Sequence, residues 1–141
     1  MKSLLLAMSA VLALAGSVLS FYFLGVYRHW FSGHQRWVPR LCRMESGQCT
    51  RVIDTPYGRL VGSIPNVVWG TVGELGFAVL LLLTLLRGWT LWLPLVVSGG
   101  TLLLGIYLIY GLIRLRTACP VCLTVHSLNL LIFLFLILAL P

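Results

Sequence analysis

Apolar residues dominate the chain in four long runs, at residues 4–27, 64–86, 89–113 and 118–140. Each holds at least 23 residues, which as a helix spans roughly 35 Å at about 1.5 Å per residue. A bilayer's hydrocarbon core is about 30 Å thick, so each run can cross it with some tilt. No 3.6-residue alternation dominates them, as expected of helices that face lipid on one side and other helices on the other. Polar positions collect at residues 28–63, between the first and second runs. The pattern predicts an all-α integral membrane protein. Its expected form is a single domain over 1–141, a four-helix transmembrane bundle with an extramembrane loop between helices 1 and 2.

The first run has a competing reading. Lys2, the apolar stretch and Ala13-Leu14-Ala15 resemble a signal peptide with its cleavage site. The apolar run continues through Phe21, Tyr22, Phe23 and Leu24, beyond the about 7–15 residues of a signal-peptide core. It is therefore read as a retained helix.

Composition agrees with a membrane protein. Hydrophobic residues make up 60% of the chain and charged residues 9%, against about 25% charged in ordinary soluble domains. The net charge of +7 comes from one Lys and nine Arg at the edges of the runs. Contact with lipid headgroups explains it, and nucleic acid is not an expected partner.

Four crossings put both termini on one side. The loop and the short link before Cys119 then share the other side, which gathers Cys42, Cys49, Cys119 and Cys122 on one face. Arg28, Arg36, Arg40, Arg43, Arg51, Arg59, Arg114 and Arg116 lie on that face too. By the positive-inside rule they point it to the cytoplasm. Disulfide chemistry points it to the periplasm, the exterior or the ER lumen, and the extracytoplasmic placement is adopted here.

The densest chemistry is Cys119-Pro120-Val121-Cys122 at the mouth of the last run. Pro120 suits the first turn of a helix, where its missing N–H has no partner to lose. The helix N-terminus, Arg114 and Arg116 favour a thiolate at this pair. His126 lies one turn deeper than Cys122 on the same face. Upstream, Cys42 and Cys49 are separated by six residues in a polar loop that Gly47 can bend. Arg40, Arg43 and Arg51 favour the thiolate there as well, with fast exchange. Two static disulfides or a metal-binding pair are the plainer readings. A mobile pair and a helix-mouth pair on one face suggest a relay instead.

Other positions carry weaker signals. His29 and His34 sit among Trp30, Phe31 and Trp37, a mixture typical of a membrane interface; their i,i+5 spacing suits a metal poorly, and no metal is expected. Asn66 follows Pro65 and reads either as a helix cap or as a ligand group. Glu74, the one acid in an apolar run, can serve protons or bond Ser98 or Thr101 as a neutral acid. Tyr107 and Tyr110 can line a ring pocket or anchor at the interface.

The stretch from Cys49 to Gly62 resembles the vitamin K epoxide reductase family. That family has a loop cysteine, a Ser or Thr six residues on (Thr55 here), an aromatic-Gly pair (Tyr57-Gly58) and a further Gly (Gly62) before helix 2. It also has a second loop cysteine upstream, four core helices and a Cys-x-x-Cys opening the last of them. All stand here in the same order across nearly the whole chain. The resemblance, to bacterial and archaeal members above all, implies a quinone-linked thiol-disulfide oxidoreductase. Electrons would pass from a thioredoxin-like partner to Cys42, then Cys49, Cys119 and Cys122, and on to a quinone of the ubiquinone, menaquinone or vitamin K kind, so that disulfides form elsewhere. Asn66, four residues before Gly70, and His126, where animal members carry Tyr, would hold the ring oxygens, and Thr55 would join them in the quinone-binding site. The alternatives are an animal-type epoxide reductase, a transporter of a thiophilic metal, and a structural membrane protein with two static disulfides.

Overall fold

A computed structural model describes residues 1–44 and 47–140. Four long helices, α1 (Lys2–Tyr27), α3 (Asn66–Arg87), α4 (Trp92–Arg114) and α5 (Pro120–Leu138), are each apolar and long enough to cross a membrane. The chain is thus an all-helical, multi-pass membrane protein. Between α1 and α3 the loop is more ordered than its polarity suggests. It holds a single 3₁₀ turn at Arg40–Cys42, the short helix α2 (Gln48–Ile53) and a second 3₁₀ turn at Pro56–Gly58. Residues 45–46, in the ring between Cys42 and Cys49, lie outside the described residues.

Prolines and glycines set the helix ends. Gly88 closes α3 in the left-handed conformation, φ 66°, which glycine adopts without steric cost. That exit delays α4 to Trp92, three residues after the expected start, with Pro94 in its first turn, where no intrahelical N–H is lost. Pro120 is the first residue of α5, with Cys119 extended as its cap at φ −113° and ψ 98°.

Helix α1 is the central post. Its buried face carries Ser9, Ala10, Ala13, Gly16, Ser17 and Ser20, small residues that let α3 and α5 approach closely. Ser17 Oγ donates to the Thr71 carbonyl at 2.9 Å. Away from the cysteines, Leu6, Ala13, Phe77, Leu81, Ile132 and Leu136 form one apolar core. A second core at the other end collects Tyr22, Phe23, Val38, Cys42, Cys49, Cys119 and Val121. All four cysteines therefore gather at one end of the bundle, Cys122 packing on that core's edge.

The loop is pinned over this end as a cap. Fully buried Tyr22 donates its hydroxyl to the Gly33 carbonyl at 2.9 Å. Arg59 donates to Tyr27, to Asp54 and, through Nε, to the Ile53 carbonyl. Asn66 clasps the loop from below: its Nδ2 donates to the Tyr57 carbonyl at 2.8 Å, and its Oδ1 accepts from the Leu60 N–H at 2.9 Å. The aromatic-Gly pair has a steric basis. Tyr57 lies where a Cβ on Gly111 of α4 would come within 2.7 Å of its ring. A Cβ on Gly58 would press into the α2 backbone, 2.5 Å from Ile53 Cα and against the Val52 carbonyl.

Backbone cannot yield as a side-chain tip can, so Gly58→Ala should lower stability by about 1–3 kcal/mol. At Gly76 a Cβ meets nothing within 4 Å, and Gly76→Ala should be neutral or slightly stabilising in its helix. Thermal unfolding of both variants in detergent micelles checks the contrast.

Candidate redox site

The reactive end is built from α5 and the cap together. Cys119 is fully buried at the α5 cap, and Cys49, 3% exposed, faces it from α2. Their thiols are close enough to shift each other's protonation, and Cys119 interacts in turn with Cys122. Three sulfurs thus form a continuous chain from the loop to the mouth of α5. The four cysteines are free thiols in this structure. Cys42 is turned elsewhere: its thiol donates to Thr124 Oγ1 of α5 at 3.4 Å.

Two sequence expectations need correction here. Cys42 and Cys49 are not in a mobile polar loop, since both are buried, at 2% and 3% exposure. Val38, Met44 and Ile53, spaced along the same segment, carry it down onto the apolar end of the bundle. Nor do the arginines make thiolates of Cys49 and Cys119. Cys49 is pushed well above the ordinary thiol range, first by its hydrogen bond to Cys119 and then by burial. Cys119 is pushed up by its hydrogen bond to Cys122, partly offset by that to Cys49, with burial adding to the rise. Arg40, Arg51, Arg114 and Arg116 are exposed, where solvent screens them, while a thiol cluster out of water keeps its protons.

Beneath the cap a cavity of about 270 Å³ opens between the helices, with almost wholly apolar walls. Cys122 and His126 of α5 and Asn66 of α3 all line it, so three residues distant in sequence meet at one space. His126 Nδ1 is buried without a partner, and a Cβ on Gly105 of α4 would lie 2.9 Å from it. With hydrogen on Nε2, Nδ1 would be left as an acceptor and no ring N–H would be buried at that position. Asn66 is both loop clasp and cavity wall, and Nδ2 keeps a second hydrogen beyond its bond to Tyr57.

The other candidates fall differently. Thr55 does not line the cavity; its hydroxyl donates to the Val52 carbonyl at 2.7 Å and closes the end of α2. Tyr107 and Tyr110 are half exposed and do not line it either; Tyr107 packs on Tyr57, ring centroids 5.8 Å apart. Glu74 does line it, but its partner is not Ser98 or Thr101. Asn129 Nδ2 of α5 donates to Glu74 Oε1 at 2.7 Å, while the Thr101 hydroxyl donates to the Ser98 carbonyl within its own helix. Asn129 shares a face with Cys122 and His126 at i, i+4 and i+7, a spacing that could have exposed it. Among the described residues no three His, Cys, Asp or Glu side chains converge as metal ligands.

A cysteine-bearing cap over a helix-mouth dithiol, with an apolar cavity beneath, defines a membrane redox protein. Residues 7–137 match the model of the vitamin K epoxide reductase family. The match covers most of the 141 residues, and the chain belongs to this family and is a membrane oxidoreductase. No curated protein sequence matches it.

The raised thiols make stability depend on pH in a set direction. Unfolded, they lose protons above about pH 8.5; folded, Cys49 and Cys119 keep them. The unfolded chain then binds fewer protons, so stability is full below that pH and falls above it. The slope approaches about 1.4 kcal/mol per pH unit for each thiol. Denaturation of the reduced protein between pH 7 and 10 should show this decline. A Cys49→Ala, Cys119→Ala variant should lose it.

Proposed function

We propose that the protein passes electrons from a thioredoxin-like dithiol through Cys42/Cys49 and Cys119/Cys122 to a membrane quinone, so that disulfides form in other proteins. The observation that carries this reading is the interacting series Cys49, Cys119, Cys122, ending at an apolar cavity lined by Asn66 and His126. A quinone bound there would supply a two-electron sink. The cavity fits its head group: the walls are apolar, the volume is near the small end of ligand pockets, about 300 Å³, and two donors wait at the rim.

In the oxidised protein, the partner's thiolate attacks the Cys42–Cys49 disulfide at Cys42. Cys49 leaves as a thiolate and attacks Cys119 of the Cys119–Cys122 disulfide, releasing Cys122 toward the cavity. The second partner thiol then displaces Cys42, and Cys42 resolves the Cys49–Cys119 bond, leaving Cys119 and Cys122 reduced. Burial of Cys42 against Thr124 means that the partner reaches it only when the Arg40–Cys42 turn swings outward. Exposed Leu41 beside it, 75% accessible, gives the partner an apolar hold. Asn66 and the His126 imidazole N–H orient the ring oxygens, and Thr55 keeps α2 closed so that Cys49 stays aimed at Cys119. Because exchange of this kind needs an oxidising compartment, the cysteine end is assigned to the extracytoplasmic side. His126 in place of a tyrosine favours a quinone over an epoxide as the acceptor.

Purified protein with a dithiol donor and a short-tailed ubiquinone should produce quinol. Cys122→Ala should reduce turnover to background, since Cys119 then carries no disulfide for Cys49 to attack, and mass spectrometry of non-reduced peptides should find Cys119 as a thiol. No turnover with any quinone, beside stoichiometric binding of a soft metal ion, would replace this reading with metal transport.

Gly105→Ala tests His126 without altering it. The new Cβ would sit 2.9 Å from Nδ1 and force the ring to turn. Quinone turnover should fall about tenfold, equivalent to about 1.4 kcal/mol, with thiol exchange by the partner unchanged. Steady-state rates beside thiol-trapping kinetics separate the two.

A further inference from the structure

We propose that Glu74, held by Asn129, is the proton donor at the inner end of the cavity during quinone reduction. The inference rests on the quinone reading above and deepens it.

Glu74 is the one acid in the four spanning helices. It is 6% exposed, yet it lines the cavity. Asn129 Nδ2 donates to Oε1 at 2.7 Å, and Oε2 is buried with no partner. Its neighbours offer no compensating cation. From α1 comes Gly16, where even an added Cβ would stand 3.4 Å from Oε2. From α4 comes Thr101, its hydroxyl already donated to Ser98. From α5 come Asn129 and, farther up the wall, His126 and Cys122, among the described residues the only other titratable groups facing the space apart from Tyr57 in the cap. Among the described residues no Lys or Arg lines it.

A carboxylate in hydrocarbon without a counter-charge is strongly disfavoured, whereas a neutral acid is not. The neutral acid has one acceptor oxygen and one hydroxyl. Asn129 takes the acceptor, Oε1, which leaves the proton on Oε2 as a donor with nothing to receive it. What the site lacks is an acceptor oxygen, and a quinone brings one.

The register of both walls supports the same role. Asn66, Gly70 and Glu74 recur at i, i+4 and i+8 along α3, and Cys122, His126 and Asn129 at i, i+4 and i+7 along α5. At about 1.5 Å per residue, His126 lies about 6 Å and Asn129 about 10 Å below Cys122. A proton stripe thus runs inward from the sulfur that supplies electrons.

The step balances. Two S–H bonds, at Cys119 and Cys122, break and one S–S bond forms. Two electrons and two protons pass to the quinone, making two O–H bonds. Glu74 gives the Oε2 proton to one ring oxygen. One thiol proton goes to the other oxygen through His126, and the second thiol proton restores Glu74. Both residues end in the state in which they began.

The test pairs infrared spectroscopy with single turnovers. Ligand-free wild type at neutral pH should show a protonated-carboxyl band that is absent from Glu74→Gln, displaced in Asn129→Leu and shifted when short-tailed ubiquinone is added. Reduced Glu74→Gln mixed with that quinone should form the Cys119–Cys122 disulfide at least about 100-fold more slowly than wild type. Exchange between Cys49 and Cys119 should stay unchanged, and Glu74→Asp should recover part of the rate. Absence of the band, or an undiminished rate in Glu74→Gln, overturns the inference and leaves the quinone reading intact. Wild type that reduces no quinone overturns both. If Glu74→Gln does not fold, the quinone-induced shift of the wild-type band decides: a shift supports proton donation, and an unmoved band overturns it.

Discussion

A thiol can exchange only with a sulfur it touches, and the contact between Cys49 and Cys119 is the constraint around which the reactive end is built. The two residues belong to a loop and to the last helix, so nothing local brings them together. Each major restraint on the cap acts to hold that contact. Tyr22 fixes the loop's first half to α1 through the Gly33 carbonyl. Arg59 and Asn66 fix its second half to α1 and α3. Gly58 lets the chain fold flat against α2. These restraints use buried backbone acceptors more than exposed ion pairs. Asp54 is well exposed, so its pairing with Arg59 adds little stability in water; the guanidinium's bond to the Ile53 carbonyl contributes positioning instead.

The same contact explains why the thiols keep their protons. Burial that brings sulfurs together also removes the water that would stabilise a thiolate, and each thiol uses its neighbour as hydrogen-bond partner. The helix N-terminus and nearby arginines favour ionisation, but Arg40, Arg51, Arg114 and Arg116 are exposed, while Arg43 is partly buried. Desolvation and sulfur–sulfur hydrogen bonding win.

Much of this was legible in the sequence. Apolar runs longer than the bilayer marked the four helices, and counting crossings placed the cysteines on one face without any knowledge of insertion sense. Pro120 announced the start of α5. The boundaries that slipped did so where local chemistry overrides hydropathy: Gly88 turns the chain, so Trp89 is apolar without being helical. The order of the loop was harder to see, because its apolar residues are scattered among arginines and form a core only when folded onto the bundle. Asn66 and His126 meeting at one cavity followed from the family resemblance. Thr55 did not follow its motif into the cavity, since a hydroxyl two residues past a short helix is captured by the nearest free carbonyl.

Glu74 marks the limit of pattern reading most clearly. Its presence in an apolar run marked it as a candidate, but its partner depended on how the helices are arranged around α1. Helices α3 and α5 each pack closely on α1 through its small residues, whereas α3 touches α4 only slightly. Asn129 on α5, brought in against the same post, reaches Glu74 at 2.7 Å, while Thr101 on α4 spends its hydroxyl on the Ser98 carbonyl. Gly16 completes the arrangement from α1, leaving room for the carboxyl where a larger side chain would intrude. The small residues that let the helices approach thus also bring a buried acid and a buried amide within reach, and the deep polar layer is a consequence of the packing.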